Sequence, residues 1–496
     1  MLSDCIDRWQ RLASMALVVV GVSACTGANS SFCADDDDCM DGTVCDEDGS
    51  LAGIEGDCVP APVPCAPGAV LRCADRENEV VCGDDGQSEE IRDCAGFGCN
   101  DVRGICNQCE PNTVRCGPHT TEVEEYVDCN AEGTIEASRE CLLGCSTERT
   151  GCVDIDPSNG LSVDLDFMDA NGGRVRDVEL RNGFTVNSDT GEILDDGNPI
   201  ETVNSRPQFQ IEALGILVFR VRRLSIEGEI AVLGDRAVAF VSDGDIEING
   251  LVDVTAGDIT EGDICVGKPP SVSGDGASGG GGAGFGQNGG NGGDAPDLIG
   301  GGGGSGTGDA GLEPLRGGCR GGIEPPGGLL SGGSGGGALQ LVARQRILFG
   351  PSGRITVAGK GGGYEGMLNP GAASGGGSGG GVLLEAPEVA FASGSFVSAN
   401  GGGGGCQGAV GERGLLARQP AAGADCGSAD SVGNGGDGGS ATSNSRDGAD
   451  VLVSSGYAGG GGGGVGRIRI NRAPGGGTPD SMFFSPDPDV GDVGTR

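Results

Sequence analysis

The sequence predicts a mainly β chain. Small disulfide-rich modules precede a short parallel β-helix-like solenoid with glycine-rich, polyglycine II-like insertions; a β-sandwich with glycine-rich loops is the alternative. Three observations carry this. Sixteen of the 22 cysteines lie between residues 33 and 152. From about residue 209, apolar and polar residues alternate in a 22-residue repeat. Most of the 105 glycines sit in long interruptions of that repeat.

The cysteines come first. Cys33, Cys39, Cys45 and Cys58 mark a small acidic module within 25–64. Cys65, Cys73, Cys82, Cys94, Cys99 and Cys106 are then duplicated, 44 residues on, from Cys109 through Cys116, Cys129, Cys141 and Cys145 to Cys152. The two modules, 65–154, are too small to bury much apolar surface, so disulfides must restrict their unfolded chains. Six cysteines allow many pairings and spacing does not choose among them. Cys106-x-x-Cys109 is a weak zinc signal, and His119, the one histidine, reads as a loop residue. The acidic run at Asp35 to Asp38 lacks the spacing of a calcium loop. No cofactor is expected, and any Ca²⁺ would be loosely held.

The repeat comes next. Leu224, Ile226, Ile230 and Val232 recur as Ile246, Ile248, Val252 and Val254. The period of two is that of a strand. The unit returns at Leu339, at Val382 and finally at Ile468. A unit this short cannot bury its apolar face alone and must stack. The solenoid is placed at 209–472, a cap or transition region at 155–208, and a flexible tail at 473–496. The insertions, 257–337, 359–381 and 400–465, all follow the third strand of a unit, so they should leave from one edge.

Glycine chains are flexible coils by default. The other option is a packed array of left-handed polyglycine helices, bonded between neighbours at distances only glycine allows. In composition these insertions resemble the glycine-rich region of the anaplastic lymphoma kinase receptor and the repeat domains of the PE-PGRS surface proteins. Cys265 and Cys319 share the first insertion and Cys406 and Cys426 the third, so each pair is expected to bridge within its own insertion.

The start of the chain supplies an address. An apolar run of about 13 residues, shorter than the roughly 20 of a membrane-spanning helix, leads into Val22-Ser23-Ala24-Cys25 and follows Arg8 and Arg11. This is the plan of a secretory signal, 1–24. The small residues before Cys25 resemble the lipobox of bacterial lipoproteins. That resemblance implies cleavage between Ala24 and Cys25, lipidation of Cys25, and a membrane partner reached through the lipid. Thr26 in place of an Asp leans towards the outer membrane and cell surface.

Catalytic motifs are few. Gly262 to Lys268 mimics a phosphate loop but is followed by Pro269, which lacks both hydroxyl and N–H. GxSxG matches such as that around Ser278 are inevitable in glycine and serine tracts, and no histidine follows His119. Asp245, Glu247 and Asp253, on the outer strand face, are the residues a glycan-processing enzyme could use. A formal net charge of −41 opposes nucleic-acid binding. The expected role is a non-enzymatic, lipid-anchored envelope protein with a structural, adhesive or matrix-contact function. Surface glycans or other envelope proteins are the partners considered. A polysaccharide lyase or hydrolase, or a carbohydrate- or calcium-binding module, is the alternative.

Overall fold

The computed structural model describes residues 43–46, 57–60, 65–84, 86, 88–100, 102–118, 124–161, 177–195, 198–199, 208–211, 215–255, 264–273, 276–323, 332–363, 371–427, 430–475 and 479–496. Among them the regular elements are strands, apart from two short 3-10 turns. No helix of the described residues is long and apolar enough to cross a membrane. The chain forms two compact units, 1–113 with 129–136, and 114–128 with 137–496.

In the first unit, strands Thr43–Asp46 and Asp57–Pro60 pair antiparallel, and their Cys45 and Cys58 are both disulfide-bonded. Strands Val70–Cys73, Asn78–Cys82 and Glu89–Asp93 make a small antiparallel sheet. Its bridges are Cys65–Cys82, Cys73–Cys99 and Cys94–Cys106. The duplicate is bridged Cys109–Cys129 in this unit, and Cys116–Cys145 and Cys141–Cys152 in the second. Both modules therefore join first to third, second to fifth and fourth to sixth cysteine. The same wiring in both copies is what a duplication requires.

The second unit is built on three parallel sheets. The first holds Leu217–Val221, Val238–Ser242, Ala338–Ala343, Gly381–Glu385, Arg467–Arg472 and Asp489–Asp492. The second holds Asp177–Leu180, Arg223–Ile226, Ile246–Ile248, Arg346–Phe349 and Glu388–Phe391. The third holds Phe184–Asn187, Ile230–Leu233, Leu251–Val254, Arg354–Thr356, Phe396–Ser398 and Phe484–Ser485. From residue 217 to 398 the chain visits the sheets in this order, each circuit adding one strand to each.

Alternation turns one face of every strand inward, and parallel register stacks like residues. Phe219, Phe240, Leu341, Leu384 and Ile470 form one buried column. Ile230, Val252, Ile355, Val397 and Phe484 form another. At the corner between second and third sheets a side chain has no room. A Cβ on Gly250 would lie 2.0 Å from the carbonyl oxygen of Gly228 on the circuit below.

The first sheet differs from the other two because both its faces are covered. Val218, Ala239, Val241, Val342 and Leu383 on its outer side pack with Ile155, Leu161, Leu312, Leu315 and Val493. Its strands accordingly read as longer apolar runs, such as Val238–Ser242, apolar up to its last residue and buried throughout.

Two expected boundaries need correction. The stack begins before residue 209: Val178 and Leu180 pair with Leu224 and Ile226, while 198–199 and 208–211 add antiparallel edges. Segment 155–161 lies on the outer face of the first sheet instead of capping the stack. Residues 479–496 are not a loose tail. Phe484 closes a core column, Asp489–Asp492 extends the first sheet, and Gly494–Thr495 pairs with Ile155–Asp156. The buried surfaces of Phe484 and Val493 supply the reason.

Candidate functional site

Two features of the second unit are candidates: the glycine-rich flank and an acidic groove on the second sheet. The flank is made by the three insertions. Each leaves after a third-sheet strand, at Val254, Thr356 or Ser398, and returns on the first sheet, at Ala338, Gly381 or Arg467. They meet beside one edge of the stack and bond to one another.

The bonding has a rhythm of three. In segment 277–286, the Gly279 and Gly282 N–H groups donate to Gly293 and Gly290 carbonyls at 2.9 and 2.8 Å. Gly280 and Ala283 donate to Ala373 and Gly376, and Gly281 and Gly284 to Lys268 and Cys265. Its carbonyls accept from three further stretches. Ala458, Gly461 and Gly464 donate to Ala277, Gly280 and Ala283; Gly301 and Gly304 to Gly279 and Gly282; and Gly322 to Gly281. One segment thus has six bonded neighbours drawn from all three insertions. Segments 374–380 and 458–466 are surrounded in the same way. Gly375, Gly376 and Gly377 donate in succession to Gly322, Gly461 and Lys360, and Gly461, Gly462 and Gly463 to Gly280, Arg446 and Gly402.

Close packing explains the composition. A Cβ on Gly279 would stand 1.8 Å from the Gly459 oxygen, and one on Gly375 1.9 Å from that of Gly281. Buried hydroxyls serve where serine replaces glycine: Ser378 Oγ accepts the Cys319 N–H at 2.8 Å, and Ser374 Oγ the Gly363 N–H at 2.8 Å. At the exposed rim, Asn and Asp side chains replace missing carbonyls. Asp447 accepts the Asn291 N–H at 2.6 Å, and Asn291 in turn accepts that of Gly303 at 3.0 Å. Asp450, Asp294 and Gly300 repeat the step. Asn288, Asn291 and Asp294 recur every third residue, a period visible in the amino-acid sequence.

Cys265 is bridged to Cys319 and Cys406 to Cys426. The first bridge is buried against Ala283, tying together two neighbours of the central segment.

The groove lies on the outer face of the second sheet, about 700 Å³ in volume, lined by Asp177, Glu179, Arg223, Ser225, Glu227, Asp245 and Glu247 among others. Asp245 and Glu247 therefore share a face with three further carboxylates. Asp253 does not join them, because it follows the corner onto the third sheet, where Arg413 from the third insertion pairs with it. The hydroxyl of Ser225 and the amide of Asn249 hold the Glu227 carboxyl below its ordinary value. Hydrogen bonding to Arg181 does the same for Glu179. Both are favoured as carboxylates, suited to attracting cations and hydroxyl donors more than to delivering a proton. Ala24, Cys25 and His119 lie outside the described residues. In the clusters Cys116, Cys141, Cys152 and Glu79, Cys94, Cys106 every cysteine is disulfide-bonded and so is not a thiolate ligand.

The chain matches no protein-family model, no curated protein and no solved structure.

Proposed function

We propose that this chain is a lipid-anchored bacterial envelope protein whose role is structural or adhesive, not catalytic. The three parallel sheets are read as a short parallel β-helix, and the flank as a polyglycine II bundle. A three-residue rhythm without internal hydrogen bonds supports the second reading, since that helix has three residues per turn and bonds only outward. The carrying observation is the co-packing of all three insertions into one hydrogen-bonded body, with two disulfides inside it. A body so tightly bonded and poor in side chains suits a rigid projecting element better than a moving active site. The residues preceding Cys25 supply the anchor in this reading, and the disulfides fit an exported chain. The test is metabolic labelling with a palmitate analogue in the bacterial host. Wild type should incorporate label and Cys25→Ala should not; label retained in the variant would remove the anchor.

The acidic groove favours a second reading, a carbohydrate- or calcium-binding module. Glycan-array binding lost in Glu247→Gln without any reducing-end release would favour it. Turnover that depends on Asp245 or Glu247 would instead overturn the non-enzymatic reading.

A further inference from the structure

We propose that segment 154–161, zipped to residues 493–496, is an acid-tightened latch that clamps the nearby cysteine-rich arm to the first sheet through the buried side chain of Glu385. The arm is the part of the second six-cysteine module within this unit, 114–128 and 137–152. It leads directly into the latch. Ile155 and Asp156 pair with Thr495 and Gly494, and Ile155, Leu161 and Val493 are buried on the sheet.

Glu385 stands beneath this segment, 1% exposed. Its two carboxylate oxygens accept the Ser158 N–H at 3.3 and 3.2 Å, the Asn471 amide at 2.9 Å and the Gln340 amide at 2.5 Å. Gln340 accepts the Asn159 amide at 3.1 Å, and Asn159 Oδ1 accepts the Leu315 N–H at 2.8 Å. Five stretches, 158–159, 312–315, 340, 385 and 471, thus meet around one carboxyl group. Each of its hydrogen bonds comes from a neutral donor.

The charges facing this spot are few. On the strand Arg467–Arg472, Arg469 reaches Asn471 Oδ1 at 2.7 Å and so touches Glu385 only through that amide, while Arg467 pairs with Asp489 of the next strand. Past the end of Ala338–Ala343, Arg344 is held by Asp154 and Asp243. Arg220 is three strands away in the same row, at about 14 Å by the usual strand spacing. The other charged groups on the described elements around it are Asp156 and Arg496 on the latch, Arg472 and Asp492 at neighbouring strand ends, and Asp309, Glu313 and Arg316 on the covering insertion.

Burial is the largest influence on Glu385 and pushes its carboxyl up, against the smaller opposite pull of Asn471, Ser158 and Gln340. A group raised in the folded state binds its proton more readily there than when unfolded. Its contribution to stability therefore grows as pH falls through the raised value, and is complete at the ordinary carboxylate range. Neutralising Glu385 removes the cost of a buried charge while leaving an acceptor for the Ser158 N–H.

Hydrogen exchange at the 155–161 amides, corrected for intrinsic rates and measured from pH 8 to 5 on the full chain, tests this. Wild-type protection should rise at least threefold, whereas Glu385→Gln should be flat. Glu388→Gln, altering an exposed carboxylate on the second sheet, should rise like wild type. A flat wild-type profile, or a rise that survives Glu385→Gln, would overturn the latch. Should Glu385→Gln not fold, Gln340→Met decides. Losing a donor to the carboxylate should move the wild-type rise to higher pH by about half a unit or more; an unmoved profile would refute the proposal.

Discussion

Gly282→Ala is the substitution that most directly probes the bonded flank. Gly282 lies in the fully surrounded segment 277–286, and its φ is outside the left-handed region, so alanine could adopt its backbone conformation. The cost is therefore one of space. The new Cβ would lie 1.9 Å from the Gly462 oxygen and 2.4 Å from its carbon. Relief requires a shift of an ångström or more between two bonded segments. That movement threatens the bonds from Gly282 to Gly290, from Gly304 to Gly282 and from Gly290 to Gly462, each 2.8 Å. Overpacking typically costs about 1–3 kcal/mol, and one buried hydrogen bond left unmade about 1–3 kcal/mol more. A loss of about 2–6 kcal/mol follows, against a gain below about 1 kcal/mol from the stiffer unfolded chain. The matched control is Gly302→Ala, whose Cβ would meet only the Lys268 side chain, at 3.8 Å. Urea unfolding with disulfides intact should place the first variant well below wild type and the second within about 1 kcal/mol of it. Equal midpoints for both variants would show that this glycine is not required by the packing described.

Removing the bridges should separate two loop sizes. With separations of 54 and 20 residues, loss of Cys265–Cys319 should cost about 4 kcal/mol and loss of Cys406–Cys426 about 3 kcal/mol in the chain-entropy model. Paired Cys→Ser variants compared by denaturant midpoint check this, and a larger loss from the second pair would contradict the order. Arg344→Met should destabilise the docking of the arm by about 2 kcal/mol, because it leaves Asp154 partly buried without its cation and Asp243 with only the longer contact to Arg139. Limited proteolysis at 140–160 should quicken, and Asp154→Asn in the same chain should restore part of the protection; no change in cleavage would refute the assigned role.

Much of the architecture was legible because the signals are local. The alternation at Leu224 to Val232 and its copy at Ile246 to Val254 specify strands and their inward faces, and the side chains of Leu224, Ile226, Ile246 and Ile248 are buried as that period requires. The position of the glycine interruptions specified the edge from which they leave. Asp253 was misplaced beside Asp245 and Glu247 because alternation gives a side chain's face but not the corner at which the chain changes sheets. The arginine that pairs with it lies 160 residues away, at Arg413.

The amino-acid order by itself determined the β class, the cysteine duplication, the direction of the core residues and the glycine content that close backbone approach demands. These follow from periods of two, from even cysteine counts and from the absence of a Cβ, all of which act within a few residues. The fold alone decided the disulfide pairing inside the six-cysteine modules, the six bonded neighbours of segment 277–286, and the burial of Glu385 beneath Ser158. Each of those joins residues far apart in the chain, and their energies arise only when distant backbone groups exclude water together.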